Sequence, residues 1–252
     1  MTKTLHRFFI HPTALCEDRV LISNRDQVHQ MTRVLRVKEG DKFIGLIGNG
    51  KEYEIEVMEI SKKEIVGRVE LERECQGELP IVMRVFQGLP KQLSKFEEVL
   101  KHGTELGATE FYPLITANCE AQEIRKRERM EHILKESAEQ SERGRIPVLG
   151  PEINFTDVLD GGWPTGLEAE VTLFAYARED SVLLSEVLAD MGSPKSVNIV
   201  VGPEGGFTDE EVAAAHKQKW TVFGLGPRIL RTETAGPAIL SALLLGSFSS
   251  LK

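Results

Sequence analysis

Cysteine is scarce in this chain. Its three thiols, Cys16, Cys75 and Cys119, are odd in number and lie dozens of positions apart among 252 residues. That excludes a secreted disulfide framework and spells no metal-ligand pair, so the thiols read as reduced and incidental. His6, His11, His29, His102, His132 and His216 share no metal-ligand spacing either, and no metal is expected. No run of about 20 apolar residues exists to span a bilayer, and MTKTLHRFFI at the start lacks the apolar core of a signal peptide. A cytoplasmic protein with no membrane partner is the expectation. Positive charge is not in excess: the net charge is −8, unlike that of a protein that coats nucleic acid. Most of the acidity lies late. Residues 1–79 carry 13 Lys/Arg against 14 Asp/Glu, and residues 80–252 carry 18 against 25, so any grip on a polyanion must come from local patches.

What is present is enough chain for two modest domains, each with its own core. Positions 7 to 73 read as short strands, RFFI, RVLIS, KFIGLIG, YEIEVMEI and EIVGRVEL. Asn49-Gly50 between two of them signals a hairpin, because both residues tolerate positive φ. A small β-barrel is the expected result. Between the second and third strands, DQVHQMTRVLRVKEGD sets Val28, Met31 and Leu35 at helical spacing, which predicts a short helix with a basic side. CQGELP at 75–80 reads as a linker, so the domains are placed at 1–76 and 77–252. Beyond it, IVMRVF, EFYPLI, VTLFAY, VNIVV and WTVFGL are apolar enough to be buried on both faces, as in a parallel sheet, and the second domain is predicted to be α/β. A helix is predicted from Ser94 to Leu106, with a Ser94–Glu97 capping box and Gly107 as its stop. Others are predicted at about 125–143, from Thr208 with Glu211 closing a second capping box, and from about Gly236 to Phe248.

Two stretches carry chemistry. VNIVVGPEGGFTDEE runs from a buried strand through Gly202-Pro203-Glu204-Gly205-Gly206 into a capped helix. Glycines there let a ligand approach the backbone, and the helix start offers free N–H groups. The same text also fits an ordinary tight strand-to-helix turn. It has neither the glycine spacing of a dinucleotide fingerprint nor the Gly-Lys-Ser/Thr of a Walker loop, which disfavours an ordinary nucleotide-binding enzyme. The second stretch, LGPRILRTETA from Leu225 to Ala235, leaves another strand and enters another helix. Read plainly, Arg228 and Arg231 are surface charges there and Thr232 or Thr234 caps the helix. Two such loops, each at the carboxyl end of a strand, together point to a ligand crevice.

The pair GPEGGFTDEE and LGPRILRTETA, about 20 residues apart, resembles the signature of the 16S rRNA (uracil-N3)-methyltransferase family of the SPOUT superfamily. HRFFI at 6–10, MTRVLRVKEGD at 31–41, QGLPK at 87–91, TELGA at 104–108 and EQSERGRIP at 139–147 extend the likeness over nearly the whole chain. The resemblance implies an α/β, SPOUT-type C-terminal domain with a deep trefoil knot, preceded by a small PUA-like β-barrel that binds RNA. It implies S-adenosylmethionine as cofactor, held by Gly202, Glu204 and Gly205 of one loop and by Leu225, Gly226, Ile229, Leu230, Thr232 and Thr234 of the other. It implies a homodimer acting on uridine 1498 of 16S rRNA in the small ribosomal subunit. A knot is something that periodicity and composition would never propose, because threaded chains are very rare.

N3 of uracil lies on the pairing edge and carries a proton, so the base must be unpaired or flipped and the N–H lost as the methyl arrives. Arg231, inside the second motif, is expected to be catalytic by stabilising charge that develops on the uracil oxygens. A guanidinium is too weak a base to take the proton, which leaves Glu233 or solvent. RNA contact is expected at Arg7, Arg33, Arg36 and Lys38, with Arg143 leaning towards the substrate; a solvated basic face is the plain alternative for each. Two places depart from the family's usual text, Asn118-Cys119-Glu120 and His102-Gly103. They are expected to bear on the RNA-facing edge and to leave the cofactor loops untouched. The competing functions are a SPOUT methyltransferase with another rRNA or tRNA target, and a non-catalytic RNA-binding assembly factor.

Overall fold

Alternation of apolar and polar residues in the first 74 positions yields six strands, as a half-buried sheet requires. The computed structural model describes residues 5–179 and 182–248, and these divide into two units. The first comprises the chain to Glu78 together with Ala138–Ile146; the second comprises Leu79–Ser137 and the residues from Pro147 onward.

In the first unit, β1 (Arg7–Phe9), β2 (Leu15–Cys16), β3 (Arg19–Ile22), β4 (Lys42–Leu46), β5 (Lys51–Ile60) and β6 (Ile65–Glu74) form one sheet in the order β1-β4-β5-β6-β3-β2. Only the β1–β4 pair is parallel. Phe8, Phe43, Tyr53, Ile55, Val57 and Ile65 point to a common core. The Asn49-Gly50 hairpin forms, but not as a two-residue turn. Leu46 pairs with Glu52, positive φ falls at Gly48 and Gly50, and the Asn49 side chain instead accepts a hydrogen bond from the Lys51 amide at 2.9 Å. The predicted helix is shorter than its periodic text. α1 (Arg25–His29) is capped by Asn24, whose side-chain oxygen accepts from the Asp26 and Gln27 amides, and it widens into a π-helical turn over Gln30–Val34. Val28 and Met31 remain buried, and Arg36 ends the segment with φ of 57°.

The second unit is a parallel sheet of β7 (Val82–Gly88), β8 (Glu110–Ile115), β9 (Val148–Leu149), β10 (Ile153–Asn154), β11 (Val171–Ala175), β12 (Ser196–Val201) and β13 (Thr221–Phe223). Its order is β10-β8-β7-β12-β11-β13, with β9 beside β8. The five predicted strands are all present. The two that were missed, β9 and β10, have two residues each, too few for periodicity to register. Helices α2 (Leu93–Glu105), α3 (Arg127–Gln140), α5 (Leu184–Asp190) and α7 (Thr232–Phe248) send apolar side chains to one face of the sheet. α4 (Phe155–Gly161) and α6 (Asp209–Lys217) cover the other, over an aromatic cluster that includes Phe86, Phe174 and Phe207. Strand residues alternate between the two layers: Val85 and Leu173 face one, Phe86 and Phe174 the other.

One expectation about α2 needs correction. Its capping box is absent: Gln92 holds the cap position without a side-chain bond, and Glu97 instead accepts two hydrogen bonds from the Arg129 guanidinium at 2.6 and 2.8 Å. A bidentate charged pair outweighs a cap bond in the competition for that carboxylate. Gly103 is no flaw in the helix, because a Cβ there would lie 2.6 Å from the Phe111 ring. α7 starts four residues earlier than expected, at Thr232, and carries Pro237 inside it. No helix among the described residues is long and apolar enough to cross a membrane.

Candidate active site

β12 and β13 flank β11 and send the chain to opposite faces, β12 through residues 202–206 to α6 and β13 through residues 224–231 to α7. Divergence of this kind opens a crevice beyond the carboxyl ends of the strands. Here it is a cleft of about 760 Å³, within the size range of small-molecule sites. Of the residues assigned to a cofactor from the sequence, Gly202, Glu204, Gly205, Leu225, Ile229, Leu230 and Thr232 line it. Gly226 and Thr234 do not. Gly226 adopts φ of 97°, which turns the second loop, and Thr234 is exposed on the first turn of α7.

The first loop is fixed at both ends. Thr208 accepts from the Glu211 amide at 3.2 Å while the Glu211 carboxylate accepts from the Thr208 amide at 2.8 Å, the expected capping box. The other Glu211 oxygen accepts from the Ala117 amide at 2.9 Å. Asn118 donates to the carbonyls of Gly205 and Gly206 at 3.1 and 3.2 Å. The Asn118 departure therefore does touch the loop at 202–206, which was expected to be untouched; the strand order brings the end of β8 beside it, and linear text cannot show that. Glu204 accepts from the Lys91 amide and from Lys95 Nζ at 2.9 Å. Burial alone would raise this carboxyl, but the Lys95 ammonium and nearby amides outweigh burial and hold it below the usual carboxylate range.

At the floor, one polar network ties the two loops together. The Thr232 hydroxyl donates to the Gly202 carbonyl at 2.5 Å and accepts from Gln87 Nε2 at 2.7 Å, and that amide also reaches the Gly88 and Gly202 carbonyls. Thr232 thus spends its hydroxyl across the cleft floor and not on capping α7. Gln87 is fully buried, and its Oε1 has no partner among the described residues. Gln87 belongs to the QGLPK stretch, where no local pattern points to a role for it. Lys95, Tyr176 and Arg178, which also line the cleft, were missed because their elements meet the loops only in three dimensions.

A family model described as an RNA methyltransferase domain matches residues 77–244, and one described as an RNA methyltransferase PUA domain matches residues 22–70. The ribosomal RNA small subunit methyltransferase E of Bacillus subtilis is 33% identical over 95% of this chain and 96% of its own length. The chain belongs to the ribosomal RNA small subunit methyltransferase E family. The resemblance read from the motifs is thereby confirmed. The family's Synechocystis member is 32% identical over 94% of this chain and 77% of its own length. The Neisseria gonorrhoeae member, solved bound to S-adenosyl methionine, is 25% identical with a TM-score of 0.82, covering 96% of this chain and 98% of that one.

Among the remaining residues assigned in this family member, Arg231 stands at the cleft with its side chain 84% exposed. Arg33, Arg36 and Lys38 are exposed in the first unit and make no ion pair among the described residues. Two RNA assignments fit poorly. Arg7 is only 13% exposed and pairs with Glu52 at 2.5 Å and Glu142 at 3.1 Å. Arg143 is 4% exposed and pairs with Glu78 at 2.9 Å. Both guanidiniums are engaged by carboxylates inside the first unit and are not presented to a phosphate.

Glu52, 5% exposed between Arg7 and Arg73, has a consequence for stability. Burial would raise its carboxyl, yet hydrogen bonds from the two guanidiniums outweigh burial and lower it. A carboxyl lowered in the folded state contributes stability that is present above its unfolded value and lost as pH falls through its folded value. Glu52→Gln is expected to destabilise the protein by about 1–3 kcal/mol at pH 7, because the charge-assisted hydrogen bonds from Arg7 and Arg73 become bonds to a neutral amide. Thermal unfolding from pH 7 downward should show the gap between variant and parent closing below the ordinary carboxylate range; a gap independent of pH would refute the pairing.

Proposed function

We propose that this protein transfers the methyl group of S-adenosylmethionine to N3 of uridine 1498 in 16S rRNA of the small ribosomal subunit. The observation that carries the reading is the cleft formed where two glycine loops diverge, with Arg231 at its edge. The residues fit an adenosine-bearing ligand: Val201, Leu225, Leu230 and Ala235 give an apolar wall, and residues 202–206 expose backbone beside it. When bound, the cofactor supplies an electrophilic methyl group. Gly202, Glu204, Gly205, Leu225, Ile229 and Leu230 would hold it, Gly226 would turn the second loop, Thr234 on α7 would stand outside the grip, and Thr232 with Gln87 would keep both loops in register. Arg231 would donate to the uracil oxygens as charge develops on them.

In this reading residues 1–76 form a PUA-like barrel in which Arg33, Arg36 and Lys38 meet phosphates, and residues 77–252 form a SPOUT domain with its deep trefoil knot. Arg7 and Arg143 take the internal role of bracing the first unit. The protein would act in the cytoplasm as a homodimer. The name shared by the Bacillus subtilis and Synechocystis relatives supports the small-subunit substrate, and the ligand of the Neisseria gonorrhoeae structure supports the cofactor. The test is mass spectrometry of nucleosides from small subunits lacking the modification, incubated with the purified protein and S-adenosylmethionine. The expected product is 3-methyluridine at one position. Methylation of a different nucleotide, or of transfer RNA alone, would replace the target; cofactor binding or RNA binding without any product would indicate an assembly factor.

A further inference from the structure

We propose that Glu233 is the group that accepts the N3 proton of the target uracil, and that with Arg231 it selects uracil over cytosine. The inference rests on the methyltransferase reading above. Glu233 lines the cleft, its side chain is 10% exposed, and its Oε2 is buried without a hydrogen-bond partner among the described residues. A buried carboxylate oxygen left without a donor costs free energy comparable to a lost charged hydrogen bond, and such groups in folded proteins call for a reason. Nearby groups do not supply one. Arg231 Nη1 approaches only the other oxygen, Oε1, at 3.9 Å, and Arg231 is itself largely in solvent. Thr232, the neighbour in sequence, has already committed its hydroxyl to Gly202 and Gln87. Glu233 lines the cleft, and a rotation of its carboxylate would turn Oε2 to meet a ligand that brings an N–H there.

Uracil brings that N–H between two carbonyl oxygens. A guanidinium donor beside a carboxylate acceptor matches a carbonyl oxygen beside an imide N–H, the pattern that uracil presents at one side of N3. Cytosine has a lone pair at N3 and would set it against the carboxylate. A site built to accept a hydrogen bond from its substrate rejects an analogue that lacks the donor, because its own polar group is then left unpaired. In the transfer step the bond from N3 to the methyl carbon forms as that carbon's bond to sulfur breaks. The bonding pair stays on sulfur, and the N3 proton passes to Glu233. One positive and one negative charge vanish together, so no net charge is left in the cleft. Arg231 donates to the ring oxygens as charge develops on them, so the two residues divide the work that neither could do alone.

The experiment compares wild type with Glu233→Gln, which keeps the shape and removes the proton acceptor. Calorimetric titration with S-adenosylmethionine should give the same affinity for both within about twofold, well below the tenfold that 1.4 kcal/mol represents. Single-turnover formation of 3-methyluridine should fall by roughly 10²–10⁴ at neutral pH, the usual contribution of a positioned base. The variant's rate should then climb with rising pH as the imide N–H ionises in solution, while wild type changes much less. A variant that turns over normally, or one whose deficit is the same at every pH, overturns the proposal, and so does loss of cofactor affinity, which would make Glu233 part of the cofactor grip. If wild type forms no 3-methyluridine in the same assay, it is the methyltransferase reading that fails.

Discussion

Arg231→Ala is expected to lower the rate of methyl transfer by roughly 10²–10³ while leaving cofactor affinity within about twofold, the range seen when one donor to a developing oxyanion is removed. A side chain 84% in solvent holds nothing of the fold together, so its truncation should change stability by no more than about 0.5 kcal/mol. Arg231 lies one residue before α7, and its carbonyl accepts from the Thr234 and Ala235 amides; the backbone carbonyl, and not the guanidinium, anchors the helix start. Removing the guanidinium thus deletes chemistry and spares architecture. Arg231→Lys should restore only part of the rate, because a compact ammonium cannot present the planar fork that a guanidinium offers to ring oxygens. Rapid-quench measurement of single turnovers, beside calorimetric titration of the cofactor, separates the two effects. Near-normal turnover in the alanine variant would remove Arg231 from the mechanism.

The second large effect is expected at a residue with no side chain. A Cβ on Gly88 would lie 2.4 Å from the Pro203 nitrogen, 2.5 Å from its ring and 2.7 Å from the Gly202 carbonyl carbon. These are atoms of the backbone and of a rigid ring, so no rotamer change relieves the overlap, and the loop at 202–206 must move. Forcing a methyl group into so tight a space costs about 1–3 kcal/mol. Because that loop is one wall of the cleft, Gly88→Ala should also weaken S-adenosylmethionine binding at least about tenfold, equivalent to 1.4 kcal/mol. Gly161→Ala is the fitting control, since nothing lies within 4 Å of a Cβ at that position. Affinity unchanged in Gly88→Ala would mean that the loop is free to shift without consequence for the ligand.

The lesson of Gly88 extends to the rest of the site. QGLPK could be quoted as text, but nothing in five letters says that Gln87 and Gly88 will lie against Gly202, Pro203 and Thr232, 115 to 145 positions away. Thr232 shows the same limit. Local chemistry offered it as a helix cap, and a partner from another strand took its hydroxyl. Ser94 and Glu97 repeat the pattern, because a sound capping signal lost its carboxylate to Arg129. Arg7 and Arg143 were read as free charges for the same reason: a sequence displays a guanidinium but not the Glu52, Glu142 and Glu78 that surround it.

By itself the sequence determined the periodic and the local. Strand periodicity of two and near-continuous apolar runs identified the two kinds of sheet, because side-chain direction along a strand is set by backbone geometry alone. The Thr208–Glu211 box, the stop at Gly107 and the turn at Gly50 depend on atoms within a few residues, and they were legible for that reason. The family motif was legible as text. Tertiary structure alone decided which strand ends adjoin, and with them the cleft between residues 202–206 and 225–235, the floor made by Gln87, and the burial that leaves one oxygen of Glu233 without a partner. Those features depend on the order β7-β12-β11-β13. Strand order and the burial of both sheet faces between helices are conditions on the whole chain that no local window of it contains.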